Sequence, residues 1–511
     1  MQQQSELTEG WVETSLKHIL SSLESGSRPK GGVRGISKGI PSIGGEHLNG
    51  NGGFRFDKIK FVSEEFFEKM NQGIIRVNDI LIVKDGATTG KVSIVTKDFP
   101  YDKVAVNEHV FLCRLHLEIS PNYIFYFLFS EIGQQRILNN FRGSAQGGIN
   151  KNFAPNTIIP LSPLAEQHRI VSVIESLFAR LGAANERLER VPEILKKFRQ
   201  SVLAAACDGR LTEGWREENQ NIEYPEDFFN QISEKHHNKY IAACETAKRK
   251  GEIAPKKPKN IEPTFLENKD FIGVPEKWIR MLLPDTGYMN RGTSRNRPRN
   301  DPSLFGGKYP FIQTEEIARS NGRITTHKKT YNENGLAQSK LWPKGTVCIT
   351  IAANIANSGI LTYPACFPDS VVGVIPDDEI CNNEYLEYFV RTAKDNLSQF
   401  APATAQKNIN IAILNDVAIP LPPLLEQHEI VRRVDALFAL ADSIEAKVAA
   451  AKERTEKLRQ SILAKAFSGA LVETEAELAR REGRNYEPAD VLLERIRDER
   501  GKGGKKGKSA K

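Results

Sequence analysis

The chain of 511 residues contains no apolar run near the roughly 20 residues that a membrane-spanning helix needs. It opens on Met1-Gln2-Gln3-Gln4-Ser5-Glu6, with neither a basic stretch nor an apolar one behind it, so the expectation is a cytoplasmic protein. The six cysteines, Cys113, Cys207, Cys244, Cys348, Cys366 and Cys381, include no Cys-x-x-Cys pair. That scatter disfavours both a zinc site and a disulfide framework and leaves reduced, mostly buried thiols. Charge of one sign is also scarce on the body. The net charge is +7, but Lys502, Lys505, Lys506, Lys508 and Lys511 supply five of the seven, leaving two for everything else. Any nucleic-acid surface must therefore be a local patch on a nearly neutral body.

Catalytic signatures are missing as well. Gly86-Ala87-Thr88-Thr89-Gly90-Lys91 is one residue short of a P-loop, and Val92 stands where a magnesium-holding Ser or Thr is required. There is no Asn-Pro-Pro-aromatic motif of an amino-methyltransferase, and Pro376-Asp377-Asp378-Glu379 lacks the Glu-x-Lys that completes a nuclease site. His168 and His428 recur at matching positions without a neighbouring nucleophile, which suits helix packing or partner contact better than catalysis. The expectation is a chain with no catalytic residues, no metal and no cofactor of its own.

What the sequence does contain is a long repeat. Ile159-Pro160-Leu161-Ser162-Pro163-Leu164-Ala165-Glu166-Gln167-His168 matches Ile419-Pro420-Leu421-Pro422-Pro423-Leu424-Leu425-Glu426-Gln427-His428, 260 residues further on. The register holds without a gap through Leu177-Phe178-Ala179 against Leu437-Phe438-Ala439 to Gly209 against Gly469. Both copies start at a proline-rich turn and place Glu166 or Glu426 in the first turn, where the macrodipole favours an acid. Ile170, Ile174, Leu177, Leu181, Leu188 and Leu195 follow a heptad seam, as do Ile430, Val434, Leu437, Ile444, Val448 and Leu458. Two equivalent seams in one chain most simply pack on each other, and equivalence of the units favours antiparallel pairing about a pseudo-twofold axis. Pro192 falls inside the first seam and predicts a kink or a break.

Ahead of each helix, residues 1–161 and 274–421 mix short β-branched runs with helical segments, giving an α+β fold class. Ile80-Leu81-Ile82-Val83 and Val347-Cys348-Ile349-Thr350-Ile351 read as strands, and the stretches around Tyr123 and Tyr385 as helices. The most charged loops fall at matching places. Arg28, Lys30, Arg34 and Lys38 lie in the first, and Arg291, Arg295, Arg297 and Arg299 in the second. Guanidinium groups among glycines and small hydroxyls suit phosphate contact and bidentate reading of guanine. Gln146 and Asn150, matched by Gln406 and Asn410, either take adenine edges or shape their loop. Residues 162–211 and 422–472 carry the helices. The Lys-rich stretch 212–273 reads as a helical insert, favoured as a solvated linker over a DNA strap. Residues 473–511 end in a basic tail expected to be disordered after Gly501.

The motif at 159–167 and 419–427, with Gly26-Ser27-Arg28-Pro29 and Asp79-Ile80-Leu81-Ile82 leading to Asp85-Gly86, resembles the specificity subunits of type I restriction-modification enzymes. The second module departs from the pattern at Gly345-Thr346-Val347-Cys348-Ile349, which has no Asp-Gly after it. The resemblance implies a non-catalytic reader of double-stranded DNA. Two target recognition domains would each bind half of a split asymmetric site, and the paired helices would set the half-site spacing. The repeated regions would recruit two methyltransferase subunits, and restriction subunits would join that core. S-adenosylmethionine, ATP and magnesium would then belong to those partners.

Overall fold

The computed structural model describes residues 7–143, 147–224, 227–250, 264–265, 274–295, 298–352, 356–394 and 411–506. The chain divides into two compact units, residues 1–189 with 448–511, and residues 190–447. The first unit is built on a four-stranded antiparallel sheet in the lateral order Leu20–Ser25, Val110–Leu115, Ile80–Val83, Val92–Ile94. Side chains alternate between faces along a strand. Ile80, Ile82, Phe111 and Cys113 accordingly enter one core with helix Pro121–Phe129, while Leu81, Val83, Val110 and Leu112 enter another. Burial on both faces explains why Ile80–Val83 is an unbroken apolar run rather than an alternating one.

The second unit repeats this plan in the order Gly287–Arg291, Val371–Pro376, Val347–Thr350, Ser358–Leu361, with Gly322–Ile324 added in parallel at the edge. Val347, Ile349, Val372 and Val374 face helix Asn383–Thr392, and Cys348 and Val371 face a separate core. Of the six cysteines none is bonded to another, and all but Cys244 are buried.

Each sheet module closes on a strand that delivers the chain to a long helix. Ile158–Leu161 pairs antiparallel with Val12–Ser15, and Ala418–Leu421 with Ile279–Leu282. The helices are Leu164–Cys207 and Leu424–Phe467, 44 residues each, or about 66 Å at 1.5 Å per residue. Glu166, beyond any dipole effect, is fully buried and accepts the Trp11 indole N–H at 2.9 Å and the Glu475 backbone N–H at 2.8 Å. Burial nevertheless pushes its carboxyl above the ordinary range. Glu426 accepts the Trp278 indole N–H at 2.9 Å, the Thr212 hydroxyl at 2.7 Å and Arg216 at 2.6 Å. Gln167 accepts the Ser120 N–H and Gln427 that of Asn382, each at the start of the domain's own helix. The Glu-Gln pair is thus a joint between domain and helix.

Pairing of the helices is antiparallel within each unit. In the first, Ile170 and Ile174 share a core with Leu463, Ala466 and Phe467, and Arg459 lies over the Phe178 ring at 5.0 Å. In the second, Val202, Leu203 and Ala206 share a core with Ile430 and Val434, and Arg199 pairs with Asp442 and Glu445 at 2.6 and 2.9 Å. Leu195 is buried, and Leu177, Leu181, Leu188, Leu437, Ile444 and Val448 are half-buried. Leu458 does not join the seam and is 51% exposed. After buried Thr455 the inward face steps to Arg459, Ile462, Leu463 and Ala466, the drift that an α-helix of 3.6 residues per turn shows against a 3.5 repeat. Pro192 does not divide the first helix, which runs unbroken through it. It sits on the exposed face, so the Leu188 carbonyl that loses its N–H partner there can turn to water.

Two segments outside the repeat pack on the units. The insert forms helix Phe228–Lys250, whose Phe228 and Ile232 enter the second unit's core, and Lys235 pairs with Asp377 and Glu379 at 2.9 and 2.8 Å. Its Pro255–Lys259 run lies outside the described residues. At the other end, helices Glu475–Glu482 and Ala489–Lys506 belong to the first unit, and Leu492, Leu493 and Ile496 enter its core. The helix runs to Lys506, past Gly501, and the last five residues of the basic tail, 507–511, lie outside the described residues.

Candidate nucleic-acid interface

In the first unit four loops converge at one end of the sheet. The arginine loop, residues 26–39, leaves strand Leu20–Ser25, and the Asp85-Gly86 loop leaves strand Ile80–Val83. Residues 107–109 precede strand Val110–Leu115, and Gly148 bridges to both Asp85 and Arg142. Backbone bonds tie them together, with the Lys84 N–H on the His109 carbonyl and the Ile149 N–H on the Lys84 carbonyl, each at 2.8 Å. Side chains continue the link. His109 Nδ1 lies 2.6 Å from Asp85 Oδ1, and Arg28 Nε forms an ion pair with Glu108 Oε1 at 3.0 Å, the oxygen that His109 Nε2 also faces at 3.3 Å. Lys30, Arg34 and Lys38 are exposed. The Lys91 ammonium, which a P-loop would aim at phosphate, donates to the Leu48 carbonyl at 3.2 Å.

Asn150 is exposed, but its Oδ1 accepts the Asn152 N–H at 2.9 Å and so closes a turn ahead of helix Phe153–Asn156. Of its two readings, loop shaping has the visible bond. Gln146, Gln406, Asn410 and Arg297 lie outside the described residues. Asp79 is structural. Its carboxylate is forked by Arg114 at 2.9 and 2.7 Å, and burial raises its pKa against that pairing. Thr346, its counterpart in the second unit, is buried and donates to the Pro343 carbonyl at 2.8 Å.

In the second unit the arginine loop leaves strand Gly287–Arg291 at the equivalent place. Arg291 donates through Nε and Nη2 to the Asp369 carbonyl at 2.9 and 2.6 Å, and Arg299 pairs with the Asp369 carboxylate at 2.7 Å. Arg295 is exposed beside residues 338–342. There the Lys340 ammonium sits 4.1 Å from the centres of both the Tyr288 and Trp342 rings. Among the described residues no group of His, Cys, Asp and Glu is arranged to hold a metal, and no helix is long and apolar enough to cross a membrane. Sequence reading missed Trp11, Trp278, Glu108 and Asp369. The tryptophans carried a signal, since two of only four in the chain stand at the head of the two modules.

Both arginine loops thus sit on the same sheet end of two domains with one topology and different side chains. The type I restriction modification DNA specificity domain matches residues 8–193 and 287–452. The EcoBI specificity subunit of Escherichia coli is 31% identical over 367 residues, covering 70% of this chain and 68% of that one. The EcoKI specificity subunit of E. coli K12 is 28% identical and covers 98% of both chains. Among solved structures, a chain from a study of type I R-M complex assembly and conformational transition superposes with a TM-score of 0.63 at 19% identity, covering 91% of this chain and all of that one. The HsdS subunit of Thermoanaerobacter tengcongensis gives 0.54 at 18% identity, covering 92% and 99%. With both modules matched, the chain belongs to the specificity-subunit family of type I restriction-modification systems.

Proposed function

We propose that each α+β domain reads one half of a split, asymmetric site in double-stranded DNA through its arginine loop and the loops beside it. The long helices set the distance between the halves, and the repeated joints at their ends hold two methyltransferase subunits, to which restriction subunits add. S-adenosylmethionine, ATP and magnesium belong to those partners, and this chain contributes recognition without chemistry, in the cytoplasm.

One observation carries the reading. The helices and their Glu-Gln joints repeat at a constant offset of 260 residues, whereas the loops at the sheet ends share position and little sequence. Constancy at the joint suits a common partner, and divergence at the loops suits two different DNA sequences. A helix of about 66 Å is long enough to space half-sites one helical turn, roughly 34 Å, apart. The test is to reconstitute the chain with its methyltransferase subunits and map methylated adenines, then exchange residues 274–421 for the corresponding domain of a relative. One half of the mapped site should change and the other persist. An unchanged site would refute the reading, as would methylation by the purified chain alone.

A further inference from the structure

Both arginine loops begin at a glycine laid against backbone. A Cβ on Gly26 would stand 1.7 Å from the Val106 carbonyl oxygen, and one on Gly292 2.4 Å from those of Phe367 and Pro368. No side chain fits there, so each loop root is held against the segment leading into the neighbouring strand. Each of those segments then presents an acid two residues before its strand, Glu108 ahead of Val110 and Asp369 ahead of Val371. Each acid takes an arginine of the adjoining loop, Arg28 at 3.0 Å and Arg299 at 2.7 Å. The relation is built twice from dissimilar loops, Gly26-Ser27-Arg28-Pro29 and Gly292-Thr293-Ser294-Arg295.

We propose that Glu108 and Asp369 are positioning residues for DNA reading, each holding a loop guanidinium where a phosphate will later compete for it. The inference rests on the assignment of these loops to DNA. A carboxylate beside the fork fixes a long side chain whose rotamer freedom would otherwise be lost on binding. It also repels any phosphate that does not displace it, which lowers affinity for arbitrary duplex. The pairs are open enough for exchange, with side-chain exposures of 36% and 33% for Arg28 and Glu108 and 47% and 34% for Arg299 and Asp369. Ion pairs so exposed shift an equilibrium by only about two- to fivefold, and a phosphate can receive the same fork.

The experiment uses the full chain assembled with its methyltransferase subunits, binding duplex DNA of unrelated sequence and its mapped target across a salt series. E108Q and D369N should each tighten binding to unrelated duplex by about two- to fivefold at low salt and steepen the slope of log K against log salt by about 0.9. Discrimination in favour of the target should fall correspondingly. The E108Q effect should shrink in an R28A background, where His109 Nε2 remains 3.3 Å from Glu108, and the D369N effect should shrink in R299A. A merely structural role would instead lower thermal stability and affinity with the slope unchanged, and that outcome overturns the proposal. If R28A and R299A weaken DNA binding while E108Q and D369N do nothing, only the positioning role falls. If R28A and R299A are themselves without effect, the assignment of the loops to DNA falls with it.

Discussion

Trp278 donates its indole N–H to Glu426 at 2.9 Å, and Trp11 makes the same bond to Glu166 at the same distance, so each domain grips its long helix through one buried carboxylate. The two joints differ in their remaining partners. Glu426 also meets the Arg216 guanidinium and the Thr212 hydroxyl, whereas Glu166 has the Glu475 backbone N–H.

Replacing Trp11 by Phe removes one of two donors from a buried carboxylate. Leaving such a group under-satisfied costs about 1–3 kcal/mol. Trp278→Phe should cost less, because a cation and a hydroxyl remain on Glu426. Urea unfolding with hydrogen exchange resolved by unit measures both, and equal losses would contradict the ordering.

Leu493 and Ile496 are buried at 3% and 0% exposure in the first unit's core. Truncating either to alanine should therefore cost about 2–5 kcal/mol. Removing residues 474–511 should destabilise the domain at 7–161 while leaving hydrogen-exchange protection in the second unit intact.

On the second long helix, Leu458→Gln should change stability by no more than about 0.5 kcal/mol, as for an exposed surface position. Ile430→Ala, at a buried seam position, should cost about 2–5 kcal/mol. Thermal melts of the two variants separate a strict heptad from the seam observed here.

Hydrogen bonding from Arg432, seconded by Arg433, draws the Glu429 carboxyl from 4.5 down to about 2, against a smaller opposing effect of burial. Its folded pKa lies below its unfolded one, so its stabilisation is complete above about pH 4.5 and fades as pH falls toward 2. The stability difference between wild type and Glu429→Gln should be largest above pH 5 and shrink steadily on acidification. A difference that grew in acid would contradict the pairing.

The pairing of the helices and the occurrence of one domain plan in two copies were legible in the sequence because periodicity and internal repetition act over many residues. Ile80–Val83 and Val347–Thr350 were legible as strands because both of their faces are buried. The acid partners of the arginines were not, since Glu108 lies 80 residues from Arg28 and Asp369 lies 70 from Arg299. Only sheet pairing brings them together. Pro192 leaves its helix unbroken for a different reason: its face is open, so the carbonyl left without an N–H partner is not buried. Leu458 misled because a strict heptad was extrapolated beyond the point where α-helical drift moves the inward face.

The first unit is assembled from residues 1–189 and 448–511, whereas the second is one continuous stretch. During synthesis the second unit is entire in sequence before Leu463, Phe467, Leu492 and Ile496 have been made, yet the first unit's core needs all four. The domain translated first is therefore the one completed last, and until then it presents the open apolar face that those residues will cover. Such a face invites aggregation, so a nascent chain halted before Leu463 and released should resist proteolysis in the second unit and not in the first.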